Sequence, residues 1–245
     1  MDVKKNLYEK IAEGTLHMAL IDPDKQSPAE AAAIAKRLAD AGTDAIMIGG
    51  STDVTQDKLD ATTLAIKSAV KLPTIYFPSG ANAMSKHLDA IYFMSMINST
   101  DTRFLVSEQI KASRFVKMLG IEPISMGYII VEPGMKVGEV GKAKAIKRND
   151  NESAIAHALA AEFLGMSFVY LEAGSGADKP VPIEMIAAVK KELSVPLIIG
   201  GGIRTPEDAA AIRKAGADVI VTGTFIERCS DNDQLKSVVS AAKGL

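Results

Sequence analysis

The sequence predicts an α/β fold, a single (β/α)8 TIM barrel with an irregular segment in place of the third helix. Three observations lead there. Eight short apolar runs are each followed by a helix-patterned stretch except the third, the order of parallel strands joined by crossover helices. Runs such as 46–48 and 195–199 are nearly uniformly apolar, as strands covered on both faces are. The 245 residues suit one barrel, for which ~250 is typical, and no linker or low-complexity tract breaks residues 1–245 into a second domain.

Each element has its own warrant. Strand one is the apolar run 16–21. Ser27-Pro28-Ala29-Glu30 is a capping box with proline at the first helical position, opening a helix to about Ala41. Strand two is 44–48, followed by a Gly49-Gly50-Ser51-Thr52 turn and a helix over 55–70. Strand three is 73–77, and the weakly patterned stretch 78–86 after it is short for a helix. Strand four is 89–94, then a helix over 103–119. Strand five is 124–131, then a helix over 153–164. Strand six is 167–171, then a helix over 183–193. Strand seven is 195–199, followed by Thr205 as N-cap, Pro206 at the first helical position and Asp208 behind it. Strand eight is 217–221, and a helix over 233–242 closes the chain.

Composition bounds the function. A formal net charge of −2 offers no overall attraction for nucleic acid. The single Cys229 excludes an intramolecular disulfide framework and a cysteine metal cluster, and fits a reducing cytoplasm. The N-terminal residues lack a signal-peptide core, and no segment approaches the ~20 consecutive apolar residues that a membrane span needs. His17, His87 and His157 are too dispersed for a metal site.

The polar residues that carry chemistry sit just after strand ends, where a barrel keeps its active site. Strand seven ends in Gly200-Gly201-Gly202 and strand eight in Thr222-Gly223-Thr224. Such loops bring backbone N–H groups close to an anion, and the last two strand ends of a barrel commonly hold a phosphate. The alternative is that these glycines only make tight turns. Strand six runs into Tyr170-Leu171-Glu172-Ala173-Gly174-Ser175-Gly176-Ala177, a glycine-rich cradle with an embedded acid and phenol. Glu172 stands where a general base is expected; the alternative is a structural acid paired with a lysine. Tyr170 and Leu171 alternate, so only one faces the barrel interior. Strand one ends in Asp22-Pro23-Asp24-Lys25. Asp22 suits Mg²⁺, which takes one or two carboxylates plus substrate phosphate oxygens, and Ser51 on the neighbouring rim is a second contact to the ion or to a diphosphate. Local capping is the alternative for both.

The stretch 132–149 is the longest without a pattern. It carries Lys136, Lys142, Lys144, Lys147 and Arg148 and reads either as a lid drawn to a diphosphate or as a solvated basic loop. Tyr76, Phe77, Tyr92, Phe93, Met94 and Met96 read as core, or as the lining of an apolar groove for a flexible chain.

IDPDK at 21–25, IGGST at 48–52, YLEAGSGA at 170–177, GGGIR at 200–204 and TGT at 222–224 together resemble the geranylgeranylglyceryl phosphate synthase family. The resemblance runs along nearly the whole chain. YLEAGSGA is highly specific, whereas GGGIR and TGT are shared with many phosphate-binding barrels. It implies a magnesium-dependent transfer of a polyprenyl group, geranylgeranyl, from its diphosphate to the 3-hydroxyl of sn-glycerol 1-phosphate. It implies Asp22 and Ser51 as Mg²⁺ contacts. It implies Tyr170, Leu171, Glu172, Ala173, Gly174, Ser175, Gly176, Gly201, Gly202, Gly223 and Thr224 as the glycerol-phosphate site. A cytoplasmic homo-oligomer with transient membrane contact for product release is implied as well. Two departures stand out. Leu20 occupies the place where some members carry a lysine, and the chain has no tryptophan to anchor the prenyl tail. Both features resemble the second of the family's two groups, whose members are often larger oligomers.

Two rivals share the same loops. An FMN-dependent oxidoreductase would use GGGIR and TGT for the cofactor phosphate and would absorb as a flavin. A non-catalytic sensor of a phosphorylated metabolite would form no product.

Overall fold

The computed structural model describes residues 2–50 and 54–245. Eight parallel strands close into a barrel in chain order, β1 pairing with both β2 and β8. They are β1 (Leu16–Ile21), β2 (Ala45–Ile48), β3 (Thr74–Tyr76), β4 (Ala90–Met96), β5 (Glu122–Ile130), β6 (Phe168–Glu172), β7 (Leu197–Gly200) and β8 (Val219–Thr222). The helices are α1 (Val3–Ile11), α2 (Pro28–Asp40), α3 (Gln56–Ala69), α4 (Glu108–Leu119), α5 (Met135–Val140), α6 (Asn151–Phe163), α7 (Ile183–Glu192), α8 (Pro206–Lys214), α9 (Thr224–Arg228) and α10 (Asn232–Lys243).

The expected helix starts are present. Ser27 caps α2 and Thr205 caps α8, each in a reciprocal capping box with proline in the first turn, which satisfies backbone donors that the first turn otherwise leaves unpaired. Thr55 caps α3 through the N–H of Lys58. The connection from β3 to β4 contains no helix, as expected. The stretch read as one helix from 103 is in fact a π turn, Arg103–Ser107, leading into α4.

Three helices lie outside the sequence expectations. Helix α1 lies across the barrel floor: Val3 and Leu7 are fully buried in the interior cluster, and the N–H groups of Val3 and Lys4 donate to Glu122 at the start of β5 (2.6 and 3.0 Å). Helices α5 and α9 are short and lie at the opposite, catalytic mouth.

Strand alternation sorts the core into two shells. Inside the barrel pack Met18, Met47, Tyr92, Met126, Tyr170 and Ile198. Between strands and helices pack Ile21, Ile48, Leu171, Ile199, Val189 and Val239. The two shells account for the uniformly apolar strands, whose inward and outward residues are both buried.

His17 belongs to the outer shell and is fully buried. Its ring nitrogens meet Thr43 Oγ1 (3.0 Å) and Thr222 Oγ1 (2.8 Å). Burial lowers its pKa to about 4, with Lys243 adding to the drop and Asp44 opposing it.

Candidate active site

At the mouth, β6 delivers two inward side chains, Tyr170 and Glu172, while Leu171 and Ala173 point into the outer shell. Leu171 and Ala173 can therefore offer a ligand only backbone groups. Glu172 is 7% exposed. Its Oε1 accepts from the N–H of Gly174 at 2.7 Å, and the hydroxyls of Tyr170 and Tyr128 also donate to it. Burial pushes its carboxyl up, and these three donors resist the rise without cancelling it. Burial, with the adjacent carboxylate second, pushes both phenols well above their ordinary pKa. At neutral pH they stay protonated and donate. Glu172 is therefore a carboxyl group of raised proton affinity held in a fixed orientation. Its glycine neighbours are required sterically. Gly201 has φ +83°, and a Cβ there would overlap Oε1 of Glu172. A Cβ on Gly200 would overlap the Tyr170 hydroxyl.

A small cavity of about 40 Å³ lies over the ends of β6, β7 and β8. Ser175, Gly176, Gly201, Gly202, Gly223 and Thr224 all border it. Ser175 Oγ and Thr224 Oγ1 are 2.7 Å apart, bridging the loops after β6 and β8. Arg204 Nη2 donates to the carbonyls of Gly176 and Ala177, each at 2.9 Å, which pins the β6 loop against the β7 loop. The glycines are not equivalent. Gly202 has φ +74°, and a Cβ there would lie 2.6 Å from the backbone of Lys179, so the fold itself demands glycine. At Gly223 a Cβ would meet nothing nearer than Leu20 at 3.7 Å, an ordinary van der Waals contact, so the protein itself does not exclude a methyl there.

On the far side of Glu172 a larger cavity of about 350 Å³ extends beneath α5 and over the helix-free β3–β4 connection. Phe93, Met94, Met96, Phe104, Val137 and Val140 line its apolar length. Phe77 sits at its inner end, in edge-on or tilted contact with Tyr92, Tyr128 and Tyr170 at 5.4–6.2 Å. Of the five basic residues in the 132–149 stretch, Lys136 borders this cavity. Lys142 is paired with Asp101 at 3.1 Å, and Arg148 donates to the carbonyls of Glu132 and Pro180.

Asp22, Asp24, Lys25 and Glu227 border the polar end of the same cavity. Lys25 Nζ lies 2.9 Å from Glu227 Oε1 and 3.8 Å from Asp22 Oδ2. Burial raises the Asp22 pKa, opposed by the Asp24 N–H (3.0 Å) and Lys25, and reinforced by Glu227. A Cβ on Gly50 would lie 2.7 Å from Asp22 Oδ2, so only glycine lets the main chain pack this close to the carboxylate. A partly desolvated carboxylate bordering the polar end of the cavity fits Mg²⁺, an oxygen-seeking ion that takes few protein ligands beside phosphate. Among the described residues no group of three or more His, Cys, Asp or Glu forms a metal cluster, so the donors here are too few for an all-protein cage. Ser51, the second expected contact, lies outside the described residues.

Two cavities of unlike chemistry thus share one wall: Leu20, Glu172, Ser175 and Gly223 border both. A family model described as the PcrB family matches residues 8–242. The chain belongs to the PcrB family. A geranylgeranylglyceryl phosphate synthase of Thermoplasma volcanium is 46% identical over 246 residues, spanning 100% of this chain and 98% of the relative. One of Methanococcoides burtonii is 51% identical over 233 residues, spanning 94% of each. Among solved structures, (S)-3-O-geranylgeranylglyceryl phosphate synthase from Thermoplasma acidophilum, in complex with sn-glycerol-1-phosphate, superposes with a TM-score of 0.97 at 44% identity over 100% of both chains.

Within this PcrB-family chain, the structure draws Asp22, Tyr170, Glu172, Gly174, Ser175, Gly176, Gly201, Gly202, Gly223 and Thr224 to one mouth. It adds residues that the motifs do not mark for the site. Tyr128 donates to Glu172, Arg204 holds the cradle, and Lys25 pairs with Glu227. Among the described residues no helix is long and apolar enough to cross a membrane.

Proposed function

We propose that this protein is a prenyltransferase that joins the 3-hydroxyl of sn-glycerol 1-phosphate to geranylgeranyl diphosphate, releasing diphosphate, in archaeal-type ether phospholipid biosynthesis. One observation carries this reading. A small glycine-and-hydroxyl cavity and a long apolar cavity meet at a buried, hydrogen-bonded glutamate. The first suits a glycerol phosphate and the second a lipid tail.

In this reading the cradle residues from Gly174 to Gly176, with Gly201, Gly202, Gly223 and Thr224, receive the phosphate, and the glycerol hydroxyls lie toward Glu172. Tyr128, Tyr170 and the Gly174 N–H hold the Glu172 carboxylate toward the junction. As the allylic carbon–oxygen bond to diphosphate breaks, the glycerol oxygen bonds to that carbon and its proton passes to Glu172. Bringing the two reactants within about 3–3.5 Å at one wall supplies much of the rate. Asp22, with Ser51, would hold Mg²⁺, which supplies the charge neutralisation that makes diphosphate a good leaving group. The apolar cavity takes the tail, each buried CH₂ favouring binding by roughly 0.8 kcal/mol.

We place the enzyme in the cytoplasm as a homo-oligomer. The unpaired, buried Cys229 fits a reducing compartment. On α4, Ile110 and Met118 are 66% and 70% exposed, giving a second copy apolar surface to cover. The lipid product implies transient membrane contact on release.

The test is direct. Purified protein with radiolabelled sn-glycerol 1-phosphate, Mg²⁺ and a series of polyprenyl diphosphates yields a lipid-soluble ether. Flavin absorbance, or binding of both substrates without product, would overturn the proposal.

A further inference from the structure

Resting on that reading, we infer that Lys25 is the side-chain cation that receives the diphosphate, and that Glu227 holds its ammonium in place until the diphosphate arrives. Three carboxylates, Asp22, Asp24 and Glu227, border the polar end of the large cavity. Asp24 is paired with Lys58, but a polyanion entering there still meets repulsion from Asp22 and Glu227 unless a cation compensates. Among the described residues two ammonium groups border this cavity, Lys25 and Lys136. Lys136 lies on α5, above the apolar end. Lys25 lies beside Asp22, and its side chain is 48% exposed. The inner face of β1 offers no cation of its own, because Leu20 fills that wall.

Geometry then gives the role of Glu227. Both of its oxygens contact Lys25 Nζ, at 2.9 and 3.1 Å. Glu227 sits on α9, directly after Gly223 and Thr224 of the cradle. The ion pair therefore sets an ammonium between the phosphate cradle and Asp22. Lysine suits such a handover, being a compact charge on a flexible stem with three donors that can turn from one acceptor to another. A diphosphate carries more charge than Glu227 and competes for the same donors. Glu227 is thus a positioning residue, and its carboxylate is the competitor displaced by substrate.

A purely structural clamp makes the opposite forecast, so the pair can be dissected. The probes are inorganic pyrophosphate and sn-glycerol 1-phosphate, titrated calorimetrically into wild type, Lys25→Met, Lys25→Arg and Glu227→Gln at saturating Mg²⁺. Each variant is first checked for a native melting curve. Lys25→Met is expected to weaken pyrophosphate binding by about ten-fold or more and to raise KM for the prenyl diphosphate in parallel. Glycerol-phosphate affinity stays within about two-fold, well inside the ~1.4 kcal/mol of one decade. Lys25→Arg restores most of the loss. Glu227→Gln binds pyrophosphate more tightly than wild type. If Lys25→Met and Glu227→Gln weaken pyrophosphate binding equally, or Lys25→Met leaves it unchanged, the inference falls while the prenyl-transfer reading stands. A wild-type protein that makes no prenyl ether overturns that reading itself.

Discussion

The N–H of Gly174 and the carboxylate of Glu172 meet at 2.7 Å, and Gly201 closes against the same oxygen. The three residues form a collar that leaves the carboxylate one orientation. Gly201→Ala is expected to damage it twice. The positive φ alone costs about 1–2 kcal/mol, and the new methyl displaces Glu172. The expected result is loss of saturated turnover well beyond what the stability loss explains, read from kcat alongside urea denaturation. Normal kcat with only a shifted midpoint would show that the collar does not set the orientation of Glu172.

Gly202 and Gly223 separate fold from ligand. A side chain at Gly202 strikes Lys179, so Gly202→Ala should lower Tm whether or not phosphate binds there. Gly223→Ala places its methyl in ordinary contact with Leu20 and keeps a negative φ of −131°. Its melting curve should be native and its glycerol-phosphate affinity weaker, about ten-fold if one charge-assisted N–H bond is lost. Calorimetry on both variants decides: an unaltered affinity in Gly223→Ala removes the anion from that corner.

Asp22 is held at a cost to stability. Burial raises its pKa, so its contribution to stability is greatest below the ordinary carboxylate range and declines as the pH rises through the raised folded value. At neutral pH, Asp22→Asn should therefore melt no lower than wild type while turnover collapses, a trade expected of functional groups. An active Asp22→Asn enzyme with unchanged Mg²⁺ dependence would rule Asp22 out as the ion's holder.

His17 provides a pH signature remote from the reaction. Its folded pKa, about 4, is below the ordinary 6.5. The stability this represents is fully present above about pH 6.5 and is lost as the pH falls toward 4, where the unfolded chain takes up the proton first. Denaturation midpoints across that window should decline in wild type and decline less in His17→Asn. Equal slopes would assign the acid sensitivity to other groups.

Much of this architecture is legible in local chemistry. β1 spans Leu16–Ile21 as the apolar run indicates, and the Ser27 and Thr205 capping boxes are both formed. What escapes a sequence reading are features defined by distant partners. Helix α1 buries only Val3 and Leu7, too few for a periodic signal, and its role depends on Glu122, 119 residues away from Val3. The Lys25–Glu227 pair joins residues 202 apart. Tyr128 reads as one more strand aromatic until β5 pairs it with Tyr170. The Gly202 motif is legible but its reason is not, since the crowding neighbour is backbone rather than anion.

In the proposed reaction Glu172 takes the proton of the glycerol hydroxyl. Its raised pKa places the acid limb of the pH–rate profile above the ordinary glutamate range, because the charged form is the active one. The most direct measurement is saturated single-turnover rate for Glu172→Gln, at a pH where chemistry limits. Gln keeps the size and an acceptor for the Gly174 N–H but cannot take a proton. The rate should fall by ~10²–10⁴-fold with glycerol-phosphate affinity little changed. A near-normal saturated rate together with weakened affinity would contradict the base role and leave Glu172 as a residue that only orients the substrate.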